Sequence, residues 1–348
     1  MHIFKEEDVP RKFLPLGLVR ILASTTGFKI VAKALNFLNP LSSNNQFKKY
    51  LKFAETGKLG SQKAILEQCA IQYPSKTTFI ALSMDMSQMN AGKVPRPFQN
   101  QLTELIELSN EYPDVLIPFV HVEPNNPDYL TIFTRSMKEG FQGIKFYPPV
   151  SCHLPTDYRM TPVYEYCNKH KIPMIAHCGA QSPTHYHTSK KKLRKKLDAA
   201  GLAWTKDMKR TELCGQFTHP RNYIPLLEKY PDMKICLGHW GSEIAWEEYL
   251  KNPGNLDNWF YIIRDMMKKY PNLYTDISFT LNNQEYFSVL KVLLLDEKIQ
   301  EKVLFGTDYY MVETKTDEKK FCFDLRAYLG EDLYKAIAVD NPEKFLKK

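Results

Sequence analysis

The sequence lacks several of the patterns that would settle its class at once. Its seven cysteines lie singly, with no Cys-x-x-Cys and an odd total, so a disulfide framework is not expected and a reducing cytoplasm is the simpler setting. No strand-like run is followed by Gly-x-Gly-x-x-Gly, which removes the usual support for nucleotide binding. No apolar run approaches the length of a transmembrane helix. The stretch from Phe13 to Leu38 is broken by Arg20, Lys29 and Lys33. Its apolar part, Leu14 to Ala23, could mimic a secretory leader, but Arg20 and the lack of a small-residue cleavage site argue against one. It reads instead as an amphipathic helical insertion packing on the main body or on a second subunit, with membrane contact the weaker alternative.

What is present is ordinary for a soluble globular chain of 348 residues: 43% hydrophobic and 25% charged, with 13% aromatics to fill a large core. The net charge of +8 is concentrated, since Lys190, Lys191, Lys192, Arg194, Lys195 and Lys196 fall within seven residues. No nucleic-acid motif accompanies that run, so a solvated helix face is favoured over a nucleic-acid site. Steering of an anionic substrate is a third option.

From Thr77 onward the chain alternates. Strands are expected from Thr77, Leu116, Gly143, Pro173, Lys234, Leu273 and Val303, and helices between them, including Gln101–Tyr112, Pro127–Glu139, Thr161–His170, Ile224–Tyr230, Asn258–Tyr270 and Gln284–Leu295. The fragment Met1-His2-Ile3-Phe4 would make an eighth strand. Eight strand–helix units with no break in composition predict one (β/α)8 TIM barrel spanning 1–348, favoured over a doubly wound sheet. Two helical insertions are expected, 10–60 after the first strand and 179–216 after the fifth; the second carries the lysines and would serve as a lid.

Three apolar runs end in metal-ligand residue types: Pro173–Cys178 in His177, Ile235–Leu237 in Gly238-His239, and Val303–Phe305 in Gly306-Thr307-Asp308. Continuous apolar runs fit strands covered on both faces, and a parallel barrel gathers all its C-terminal strand ends at one mouth. A catalytic divalent metal wants about three imidazole or carboxylate ligands and an open position. The bland alternative for Asp308 is a helix N-cap. Asp85 is a weaker candidate near the mouth. Cys178 and Cys236 read as packing, for neither has a base beside it. His185 and His187 could touch substrate from the lid or simply be surface residues. His121, His153, His170 and His219 have no second feature to raise them.

Together VLFGTD (Val303–Asp308), LGHWG around His239, IAHCG around His177, GIKFYPP around Lys145, and Pro220-Arg221-Asn222 running into Leu226-Leu227-Glu228 resemble the amidohydrolase superfamily. The similarity is to the branch that includes aminocarboxymuconate semialdehyde decarboxylase and pyrone dicarboxylate lactonase. The resemblance implies a divalent metal, zinc first, with manganese and iron suited to the same donors. It implies His177 and Asp308 as ligands, Asp308 also as the proton acceptor for water, and His239 polarising the carbonyl. That family opens with a His-x-His pair on its first strand; here His2 matches the second histidine and the first would precede Met1. His2 is therefore expected to bind metal, the alternative being a disordered terminus. Lys145 would bridge two metals if carboxylated, or else pair with a substrate carboxylate or a structural anion. Tyr147 shares its side of the strand, and Trp240 and Tyr309 are expected either to wall the pocket or to lie in aromatic core. The expected activity is hydrolysis of an amide, lactone or ester-like carbonyl on a small molecule, anionic or neutral; the alternatives are non-oxidative decarboxylation on the same barrel, or a barrel that survives as a binding protein.

Overall fold

The computed structural model describes residues 1–13, 55–181 and 188–347. The segment 14–54, which holds most of the expected first insertion, lies outside the described residues, as do His185 and His187. Seven parallel strands follow one another in sequence order around the sheet: β1 (Phe79–Leu82), β2 (Leu116–His121), β3 (Gly143–Phe146), β4 (Met174–Gly179), β5 (Ile235–Gly241), β6 (Leu273–Asp276) and β7 (Val303–Leu304).

The expected eighth strand is not a regular one. Residues 1–4 are extended without a ladder assignment, yet they bridge the two edges of the curled sheet. The Met1 amino group donates to Ile80 O at 2.9 Å and the Leu82 N–H to Met1 O at 2.9 Å. On the other side the His2 N–H donates to Tyr309 O at 2.8 Å.

Side chains alternate along each strand, and the alternation sorts two cores. Leu82, Phe119, Ile175, Cys236, Tyr274 and Leu304 point inward and stack on Phe345, which the helix Asn341–Leu346 inserts beneath them. The opposite set, including Ala81, Val120, Ile144, Ala176 and Leu237, faces the surrounding helices. Gly143 is the inward residue beside Phe119: a Cβ there would stand 2.2 Å from the Phe119 ring, so the absent side chain makes room for the aromatic one.

The covering helices form where apolar residues recur at helical spacing. In Phe98–Glu111 the buried Leu102, Leu105, Ile106 and Ser109 line one face. In Trp259–Lys269, Asn258 accepts from the Phe260 N–H at 3.1 Å and caps a helix that buries Phe260, Ile263, Met266 and Met267. Each such buried side chain contributes about 1.5–3 kcal/mol. The basic excursion is helical at Lys190–Ala199 and Arg210–Gly215. Leu193, Leu197, Leu213, Cys214 and Phe217 give it a small core of its own, while its five lysines are exposed. Among the described residues no helix is long and apolar enough to cross a membrane.

Candidate metal and catalytic centre

The inward positions one step beyond the apolar layers hold His121, Lys145, His177 and Asp276, at the C-terminal ends of β2, β3, β4 and β6. His239 and Asp308 join them by another route. Along β5 the alternation would send His239 outward and Trp240 inward, since Cys236 faces the interior. The structure does the reverse. His239 and Trp240 both take left-handed backbone angles, φ 69° and 37°, and Asp308 does so at 62°. Such conformations are uncommon without glycine, least so for histidine and aspartate. The turn is locked by Gly241, at φ 78°, where a Cβ would press on Ala245 and Trp259 at about 3 Å.

The consequence for Trp240 is a correction to the pocket-wall expectation. It is fully buried among Trp246 and Phe260, with ring centroids 5.3 and 5.6 Å away, and its indole N–H donates to Phe260 O at 3.3 Å. Tyr309 is likewise fully buried, and its backbone carbonyl receives His2. Tyr147 does stand at the site: its ring stacks on His177 at 4.0 Å, with the Lys145 ammonium 5.5 Å from its centroid.

The chemistry of the hydrogen-bond partners fixes which imidazole nitrogen carries hydrogen. His239 Nδ1 lies 2.9 Å from the Ser278 carbonyl, which only accepts, so Nδ1 is the donor. The Nε2 of the neutral ring therefore accepts from His177 Nδ1–H across 3.1 Å, and the lone pair of His177 falls on its own Nε2. His2 follows the same logic. Its Nδ1–H donates to Leu82 O at 2.9 Å, which turns the Nε2 lone pair toward Asp308 Oδ1 at 3.7 Å. A backbone carbonyl holding the far nitrogen is the usual posture of a metal-ligating histidine.

Charge states agree with that assignment. Burial lowers the pKa of His2 to about 3, Asp308 pulling the other way, so the ring is neutral. Burial pushes the Asp308 carboxyl up, but the positive charges around it, the Met1 amino group and Lys145 among them, hold the carboxyl below its usual value. Lys145 is lowered by burial, with Asp308 and Asp276 opposing. The donor set of two imidazole lone pairs and a carboxylate suits a divalent cation. It stands as two pairs, His2 with Asp308 and His177 with His239. Among the described residues no three histidine, cysteine, aspartate or glutamate side chains form a closed ligand group.

Three residues of this centre escaped the sequence reading. Asp276 accepts from the His239 and Ser278 N–H groups, both at 3.0 Å, and from Ser278 Oγ at 2.5 Å, which anchors the β5 turn. Ser278 supplies the carbonyl that orients His239. His121, like His177, ends an apolar strand; that signal was available for both His121 and Asp276. Asp85, the weaker candidate, is buried and spends its oxygens on Asn126 Nδ2 at 2.7 Å and the Ser87 N–H at 2.9 Å. Cys178 and Cys236 are buried thiols whose pKa values burial raises, as packing residues require. His219 caps a local turn through the Arg221 N–H.

Comparison with known proteins places this geometry. The amidohydrolase family model matches residues 53–348. No curated protein matches by sequence. Among solved structures, a TIM-barrel protein from Bordetella bronchiseptica aligns over 88% of this chain and 93% of its own, at 15% identity and a TM-score of 0.54. A 5-carboxyvanillate decarboxylase from Novosphingobium aromaticivorans, complexed with manganese and 4-hydroxy-3-methoxy-5-nitrobenzoic acid, aligns over 92% and 93% at 16% identity and a TM-score of 0.54. With most of its length matched by the family model, the chain belongs to the amidohydrolase family.

Proposed function

We propose that the chain is a metal-dependent hydrolase acting on an amide, lactone or ester-like carbonyl of a small anionic molecule. The observation that carries this reading is the pairing of His2 with Asp308 at 3.7 Å and of His177 with His239 at 3.1 Å at the mouth. His2, His177 and Asp308 would hold the cation; zinc is the ion we favour, and manganese or iron suits the same donors. A carboxylated Lys145 would be a further ligand. A bound ion of this kind supplies Lewis acidity toward water and a carbonyl oxygen.

The residues do the rest. Asp308 accepts the proton of the attacking water on a carboxylate oxygen and returns it to the leaving group. His239 holds His177 in its ligating orientation. To polarise the carbonyl it must gain a proton on Nε2, which exchanges the His177 bond for one to the developing oxyanion. Tyr147 keeps the His177 ring in plane and excludes water from one side. The 179–216 excursion would cover the mouth.

Non-oxidative decarboxylation is a second reading, favoured by Lys145, a buried cation suited to a substrate carboxylate, and by the fold shared with the manganese-complexed decarboxylase. Assaying released carbon dioxide against released carboxylic acid separates the two. Asp308→Asn is expected to lower turnover about a thousandfold while leaving the melting transition in place; a near-normal rate would discredit the assignment.

A further inference from the structure

All seven cysteines are free thiols, and only Cys152 is not buried. It sits in the loop that follows β3, at a left-handed φ of 60°. There it packs against the small core of the basic excursion, to which Cys214 belongs. Cys214 is buried in the helix Arg210–Gly215, far along the chain from its neighbour. The two thiols are in hydrogen-bond contact. That bond and burial push the Cys214 thiol well above its usual value, with Arg210 and Lys196 pulling the other way. Cys214 therefore keeps its proton and donates to the more exposed sulfur. The Lys196 ammonium is held at the same place, donating to Ser151 O at 3.2 Å. A partly exposed sulfur among cationic groups is the usual setting of an oxidisable cysteine. The other five thiols are shut away, and burial raises each of them.

We propose that Cys152 and Cys214 form a reversible disulfide, with a peroxide as oxidant, that ties the basic excursion to the loop after β3. Cys152 Sγ attacks one oxygen of hydrogen peroxide, the O–O bond breaks, and water leaves with the thiol proton. Cys214 Sγ then attacks the sulfenic sulfur, and its proton joins the departing hydroxyl as a second water. Two thiols are oxidised to one disulfide and one peroxide is reduced to two waters. Thiols already in contact need little backbone movement to bond. In a reducing compartment a dithiol returns the pair to thiols, so the bond is a switch and not a staple. The pairing stands whether or not the mouth is hydrolytic.

The full chain is treated with hydrogen peroxide, its remaining thiols are blocked with iodoacetamide, and it is unfolded and digested with trypsin. The expected product is a linked pair of peptides, 146–159 with 211–221, bounded by cleavage at Lys145, Arg159, Arg210 and Arg221. Before blocking, the intact chain should lose about 2 Da, and dithiothreitol should restore it. Cys152→Ser should form no disulfide, and Cys214→Ser should carry a sulfenic or sulfinic acid at Cys152. Under native conditions trypsin should cut the exposed lysine run of the oxidised chain at least about tenfold more slowly than that of the reduced chain. Absence of the 146–159 to 211–221 link, a link through another cysteine in its place, or a link between two chains overturns the pairing. Unslowed cleavage overturns the tether. Mapping of the unaltered chain decides the pairing by itself, so a variant that fails to fold does not obscure the outcome.

Discussion

His177 and His239 meet nitrogen to nitrogen, Nδ1 to Nε2 at 3.1 Å, with the remaining nitrogen of His239 held by the Ser278 carbonyl at 2.9 Å. Hydrogen donation along that line runs from His177 Nδ1–H on β4 through His239 Nδ1–H to the Ser278 carbonyl, on the turn that follows β6. Its anchor is Asp276, which receives the His239 and Ser278 amides together.

Asp276→Ala should therefore leave two amides without an acceptor and lower stability by about 3 kcal/mol. The urea midpoint measures it. Asp276→Asn keeps one acceptor oxygen and should lose roughly half as much. Equal losses in the two variants would mean that the carboxylate charge, and not its acceptor geometry, sets the turn.

Removal of ligand nitrogens should separate metal binding from folding. His2→Ala and His177→Ala are each expected to lower bound metal at least about tenfold by elemental analysis of the full chain. His170→Ala, at an exposed helix end, should not. Retention of full metal content in His2→Ala would remove His2 from the ligand set.

Gly143→Ala places a methyl group where the Phe119 ring already stands. The expected cost is about 3 kcal/mol of overpacking, larger than most surface substitutions. Phe119→Leu in the same chain should recover much of it, and a double-mutant cycle by thermal melting reads the coupling. Additive effects would show that the interior relaxes around the methyl group.

Acid should destabilise the fold, with a slope that changes. Burial lowers His2 and His153 to about 3 and His121 to about 4, from a usual 6.5. The unfolded chain then binds more protons at these sites below pH 6.5, so stability falls on acidification. Glu123 and Glu318 act in the opposite sense: burial raises both to about 7 from 4.5, and the folded chain binds more protons between those values. Burial lowers His219 to about 4 as well, so four histidines against two glutamates leave a net loss between pH 6.5 and 4.5. Below pH 4.5 the glutamates stop offsetting and the loss steepens, by about 1.4 kcal/mol per pH unit for each unmatched proton. Urea midpoints across pH 4–8 test this; stability that rises on acidification from pH 7 to 4.5 would mean these histidines are solvated, the glutamates then acting alone.

Composition along the chain was enough to mark residues that could reach a common mouth. A parallel strand buried on both faces is apolar along most of its length, so the place where the apolar run of β4 ends, at His177, is visible as a break in composition. The same reasoning found the segments carrying His239 and Asp308. It could have found His121 and Asp276, which end β2 and β6 just as plainly. Only the tertiary structure decided which way those side chains point once the strand ends. Two-residue alternation predicts direction inside a ladder, but left-handed backbone at His239 and Trp240 exchanges their faces, bringing the imidazole in and sending the indole to the core. Which nitrogen of His2 and of His239 carries the hydrogen was likewise beyond composition, because the partners that fix it, Leu82 O and Ser278 O, are backbone atoms from other parts of the chain.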